Sequence, residues 1–157
     1  MPIEESQLEA ARRAWGDGLV SISRAYEAEG IDGARQTASQ ILDVAYGYDL
    51  GPVLFKPTLS GGQTTFRTTK KGALSYFVGH DADYPNDSGF GIKGWRDVLS
   101  ETAASFMHGD VAMWMGWMIM IDKEGQITKV DKSFGYKLGP DNTLRIVLHH
   151  SSLPYET

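Results

Sequence analysis

The chain contains no cysteine. That absence excludes disulfides, thiol nucleophiles, iron–sulfur ligation and every cysteine-containing zinc site at once. Any bound metal would have to rest on His, Asp or Glu. Histidine is scarce too, with four residues at positions 80, 108, 149 and 150. Positive charge is in deficit: Lys plus Arg number 15 against 20 for Asp plus Glu, a net charge of −5. No basic stripe is present to neutralise a run of phosphates, which argues against nucleic acid as a partner. No stretch approaches the ~20 apolar residues of a membrane span. The opening Met1-Pro2-Ile3-Glu4-Glu5 has neither the basic nor the apolar segment of a secretory leader, so a cytoplasmic location is expected. Phosphate-cradling GxxxxGK[ST], dinucleotide GxGxxG and nucleophile-elbow GxSxG patterns are missing as well. What is present is ordinary for a folded protein: 157 residues, 41% hydrophobic and 22% charged, which predicts a single domain over 1–157.

Leu8, Ala11, Trp15, Leu19, Ile22 and Tyr26 recur at spacings of three and four, the signature of one helix face running from about residue 4 to 28. Gly16 and Gly18 weaken it. After Gly30 the spacing resumes through Ile31, Ala34, Ala38, Ile41 and Ala45 and predicts a second helix. From Gly51 onward, short runs rich in Val, Phe, Thr and Tyr are separated by turn signals such as Gly61-Gly62, Glu124-Gly125 and Pro140-Asp141-Asn142. These predict strands near 53–59, 64–69, 73–79, 111–122, 126–137 and 143–151. Residues 81–91 read as a polar, solvated loop, and Pro57 restricts the first strand to an edge. Residues 95–107 fit either a helix face or a hairpin arm, and the His108-Gly109-Asp110 turn favours the strand. Both faces of the run MWMGWMIMID are apolar, as in a buried core strand or a dimer face. Leading helices and a long antiparallel meander make an α+β fold, helices on one face of a curved sheet.

The most distinctive segment is the ending Leu144-Arg145-Ile146-Val147-Leu148-His149-His150-Ser151-Ser152-Leu153-Pro154. Alternation along a strand puts His149 with Ser151 on one face and His150 with Ser152 on the other. The two His therefore do not ligate one ion from a regular strand. A bulge would exchange the roles of the two pairs. Arg67, Arg145 and Lys56 read as surface charges that are able to attract an anion.

The ending LRIVLHHSSLPY, together with GPVLFKPT, GALSYFVG and FGYKLGPDNTLRI, resembles the iota-class carbonic anhydrases, whose hallmark is a C-terminal HHSS-x-P motif. The resemblance spans about two thirds of the chain, Gly51 to Tyr155. It implies a cone-shaped fold like that of nuclear transport factor 2, in agreement with the α+β architecture above. It also implies reversible hydration of carbon dioxide to bicarbonate. The family's pocket is lined by a Thr, a Tyr and the first His and first Ser of the motif, which fall on Thr58, Tyr76, His149 and Ser151. On the strand reading, Tyr76 shares a face with Leu74 and Val78. The resemblance assigns Thr58, Tyr76 and Ser151 to substrate binding, while neutral His149 takes a proton from the attacking water or orients Ser151 to do so. Members of the family are described as metal-free and as using zinc or manganese; with so few His, no cofactor is expected here.

Two other readings keep the fold. A ketosteroid isomerase or polyketide cyclase would need a carboxylate in an apolar cavity, whereas Asp110, Asp122 and Asp131 read as turn or surface residues. A non-catalytic association module, like that of calcium/calmodulin-dependent kinases, leaves the HHSS ending without a purpose. A homodimer through the open sheet face suits either enzyme or module.

Overall fold

The structure, a computed structural model, describes residues 2–157. It opens on helix α1, Glu5–Ala45, begun by a reciprocal capping box between Glu4 and Gln7. Gly30 breaks it with non-helical backbone (φ 75°, ψ −162°), at the point where the apolar spacing is interrupted. The two expected helices are thus the arms of one kinked element. Leu8, Trp15, Leu19 and Ile22 of the first arm and Ala34, Ala38 and Leu42 of the second are buried. Gly16 is a contact rather than a weakness: a Cβ there would lie 2.8 Å from Val98 Cβ, so its absence lets the helix approach the sheet.

Strands β1 (Leu54–Lys56), β2 (Trp95–His108), β3 (Val111–Asp122), β4 (Ile127–Leu138) and β5 (Leu144–Ser152) form one sheet in the order β1-β5-β4-β3-β2. β2 through β5 are antiparallel neighbours, whereas the short β1 pairs parallel to β5. The sheet is therefore not wholly antiparallel. Residues 95–108 form the strand that the turn at 108–110 predicts. Along β3, Ala112, Trp114, Met118 and Met120 are buried against the helices while Val111, Met113 and Met115 stay exposed on the other face. Among the described residues, no helix is long and apolar enough to cross a membrane.

Two expected strands are absent. Residues 62–64 form a 3₁₀ turn, and the segment after it joins no strand pair. Residues Lys70–Val78, expected as a strand from 73, form helix α2. The Thr69 hydroxyl accepts from the Gly72 amide, a good N-cap, and the buried Ala73, Tyr76 and Phe77 have helical spacing. Gly79 (φ +67°) ends it. Val, Phe and Tyr content suggested a strand, but the cap and the packing against α1 decide. Tyr76 accordingly lies on a helix and does not share a strand face with Leu74 and Val78.

Candidate active site

The site begins with a defect in β5. Tyr136 pairs with Ile146, but its neighbour Gly135 pairs with Leu148, leaving Val147 as a bulge. Gly135 makes room for it, since a Cβ there would sit 2.8 Å from Leu148 Cβ. Counting inward positions from Ile146 without the bulge would turn Leu148, His150 and Ser152 to the core. With it, His149 and Ser151 point inward, 2% and 1% exposed, and His150 faces solvent. Ser152 turns outward and donates to Asp131 (2.6 Å).

Ser151 Oγ lies 2.6 Å from Thr58 Oγ1, just beyond β1, and Lys56 Nζ donates to the Ser151 carbonyl at 2.8 Å. Tyr76 reaches the same corner from α2, where its hydroxyl oxygen accepts from the Leu59 amide at 3.3 Å. Burial pushes the Tyr76 hydroxyl up to about 12, against the downward pull of the Leu59 amide and of Thr58, so it remains a proton donor at neutral pH. Beside Tyr76 is a cavity of about 20 Å³ lined by Leu59, Asp87, Ser88, Phe90 and Lys93 among others, the size of one or two water-like molecules.

His149 sits deeper. Its ring stacks on Phe55 (4.3 Å between centroids) and touches Phe134 and Trp15. Nδ1 lies 2.8 Å from the Tyr46 hydroxyl and Nε2 lies 3.1 Å from Lys132 Nζ. Loss of water, with Lys132 and His150 nearby, drives its pKa well below the ordinary imidazole value, so the ring is neutral. Both nitrogens are occupied inside the protein, and this arrangement leaves neither to take a proton from water directly. Tyr46 and Lys132 were not visible as site residues in the sequence. Lys132 left one clue, since Val130, Lys132, Phe134 and Tyr136 alternate as a single inward face and only one of them is charged.

A buried ion pair frames this corner. Arg67, expected at the surface, is 2% exposed and makes a bidentate pair with Asp87, both bonds 2.7 Å. It also donates to the Thr64 and Gly72 carbonyls, while Asp87 accepts from Ser75, the neighbour of Tyr76. The loop after α2, expected to be merely solvated, is thus fastened to the helix that carries Tyr76. Arg145 is held by Asp141 and Asp49 at the far end of β5.

Among the described residues, no cluster of three or more His, Asp or Glu could hold a metal ion. His80 follows α2, where its Nδ1 meets the Val78 carbonyl, and His108 ends β2. The donor set does not fit a zinc or manganese centre. What the corner offers is three hydroxyls and a nearby ammonium, a set suited to the oxygens of a small anion.

Comparison with known proteins agrees with this chemistry. The profile of the family described as metal-independent carbonic anhydrase matches residues 6–153. A metal-independent carbonic anhydrase from Nostoc sp. (strain PCC 7120 / SAG 25.82 / UTEX 2576) is 50% identical over 154 residues, covering 98% of this chain and 75% of the relative. The crystal structure of an iota-carbonic anhydrase from a cyanobacterium, complexed with bicarbonate, superimposes with a TM-score of 0.98 at 49% identity, over 99% of this chain and 95% of that one. An NTF2-like protein from Streptomyces avermitilis, 14% identical with a TM-score of 0.57 over 96% of each chain, shares the fold alone. With the helices-on-sheet architecture and the inward His149–Ser151 face already in place, these matches make the chain a member of the metal-independent carbonic anhydrases, the iota class, which interconvert carbon dioxide and bicarbonate.

Proposed function

We propose that Thr58, Tyr76 and Ser151 bind the carbon dioxide and bicarbonate oxygens and that His149 orients the inner wall behind them. The observation that carries this reading is the convergence of three hydroxyls from three separate segments on one corner. The Thr58–Ser151 contact uses one of that pair's two hydroxyl hydrogens; the other is left to donate, as is that of Tyr76. When water attacks the carbon, negative charge grows on a carbon dioxide oxygen, and fixed donors at that point stabilise the transition state more than the uncharged substrate. The water proton is relayed through the Ser151–Thr58 pair, each hydroxyl passing on its own hydrogen as it gains one, to solvent water at the half-exposed Thr58, and Lys93 at the cavity beside Tyr76 attracts the departing or arriving anion. The small cavity beside Tyr76, which neither Thr58 nor Ser151 lines, is too small for a steroid or polyketide.

We further propose that no metal cofactor takes part. A metal would otherwise lower the pKa of bound water to about 7; here positioned donors replace it, with the more modest gain of about 10²–10⁴-fold expected of acid–base catalysis. Carbon dioxide hydration after exhaustive chelation, with metal quantified on the same sample, is expected to persist. Activity restored only by zinc or manganese would overturn the metal-free reading.

A homodimer is proposed through the outer sheet face. Leu99, Phe106, Met113, Met115 and Ile127 are 45–66% exposed there, with Phe106 paired to Met113 across β2 and β3. A two-fold axis would lay this apolar face on its own copy, where Glu101 and Lys129, of opposite sign on the same face, can pair across the axis. Light scattering should give twice the chain mass for the wild type and a single chain mass for Met115→Lys. A monomeric wild type at high concentration would refute it.

A further inference from the structure

We infer that Lys132 is a positioning residue of this site: its unprotonated amine accepts the Nε2–H of His149 and holds the ring in that tautomer. The inference rests on the reading of Ser151 as part of the site, because Lys132 is the direct cross-strand partner of Ser151 on the inner face.

The direction of each hydrogen bond can be counted. Trp15 Nε1–H, a donor only, gives its hydrogen to the Tyr46 oxygen at 3.0 Å. Tyr46 has one hydrogen of its own, and His149 Nδ1 lies 2.8 Å away. If Nδ1 carried a hydrogen, Trp15 and His149 would both donate to Tyr46, and the Tyr46 hydrogen would be stranded in the interior. The low-energy arrangement therefore runs from Trp15 to Tyr46 to Nδ1, with the ring hydrogen on Nε2. That hydrogen points at Lys132 Nζ, 3.1 Å away, which accepts it only through a free lone pair.

The surroundings favour the neutral amine. Lys132 is 3% exposed, and burial alone pulls its pKa down to about 7. From α1 it meets the Trp15 ring, 3.9 Å from Nζ, and one turn earlier stands Arg12, held by Ser100 and the face of Trp114. From β5 it meets His149, while His150 faces away. Lys56 reaches the Ser151 carbonyl from β1. On β3 its row partner is Gly116, which has no side chain. Among the described residues, no carboxylate lies within ion-pairing distance of Lys132. The Trp15 face attracts an ammonium, but less strongly than the loss of water disfavours it. As pH falls through about 7, Lys132 gains a proton and donates to Nε2. The ring hydrogen must then move to Nδ1, and Tyr46 loses its acceptor. Turnover accordingly declines on the acid side.

The test combines ¹⁵N resonances of the His rings with the pH dependence of kcat. In the wild type at pH 8, His149 should show a protonated Nε2 and a bare Nδ1. On acidification the neutral ring should change tautomer with a midpoint near pH 7, and kcat should fall over the same range. Lys132→Met, folded by circular dichroism, should lose both the tautomer change and the acid limb of kcat, with kcat at pH 8 lowered about tenfold by the loosened ring. Lys132→Arg, always charged, should remain at the acid-side rate at every pH. A hydrogen on Nδ1 in the wild type at pH 8 would overturn the inference, as would an unchanged acid limb in Lys132→Met. Ser151→Ala with wild-type turnover would instead refute the site reading, and leaves the ring spectra to judge Lys132 on their own.

Discussion

Ser151→Ala is expected to lower kcat for carbon dioxide hydration by about 10²-fold, the range seen when one donor to a developing oxyanion is removed. The side chain is buried, and among the described residues its hydroxyl bonds to Thr58 Oγ1 alone, at 2.6 Å. Removing it leaves the Thr58 hydroxyl half-exposed and able to find water, so the cost in stability should stay within about 1.5 kcal/mol. Tyr76→Phe should act in the same way on kcat, because the ring keeps its packing on Phe90 and Phe55 and loses the hydroxyl donor, together with the acceptor of the Leu59 amide. Since the Tyr76 hydroxyl is held at about 12, its contribution should be present throughout the neutral range and vanish only as pH rises through that value. Stopped-flow indicator assays and urea unfolding on the same samples check both halves. Full activity in either variant would remove that residue from the site. Loss of folding in parallel with activity would return the hydroxyls to a purely structural role.

Asp87→Ala is expected to cost about 3–5 kcal/mol, because it leaves a buried Arg67 guanidinium without its counter-charge. At roughly 2–4 °C per kcal/mol for a chain of this size, the midpoint of thermal unfolding should fall by about 10 °C. Activity should fall with it, since Ser75 loses its acceptor next to Tyr76 and the loop after α2 comes free. The double variant Asp87→Leu with Arg67→Met should recover part of the stability, because no lone charge remains. It should not recover all of it, because the Gly72 and Thr64 carbonyls lose their donor. A midpoint within 2 °C of the wild type for Asp87→Ala would mean that the pair is solvated in solution and does not fasten the site.

Much of this organisation is legible in the chain. The spacing of Leu8, Trp15, Leu19 and Ile22 and the break at Gly30 are local patterns, and a kinked amphipathic helix follows from them. The same holds for β3, β4 and β5, whose turns carry their own signals. Helix α2 is where local reading fails. Leu74, Tyr76 and Val78 suit a strand by alternation and a helix by spacing, and a short apolar run does not separate the two periods. Thr69, the N-cap, was the available clue.

The sequence by itself determined the class of protein: a cysteine-free, acidic α+β chain whose ending HHSS resembles that of its family. It also offered the residues proposed for the site, the hydroxyls of Thr58, Tyr76 and Ser151 with the imidazole of His149 behind them. Only the tertiary structure decided which pair of the ending faces inward. That choice depends on one extra residue, Val147, whose bulge is accommodated by Gly135 on a neighbouring strand, and a register of this kind is set between strands rather than along one. The tertiary structure likewise turned Arg67 from a surface charge into a buried clasp and brought Tyr46 and Lys132 to the two nitrogens of His149. These residues lie 103 and 17 positions from it in the chain, beyond the reach of any local pattern, and only burial makes their hydrogen bonds matter.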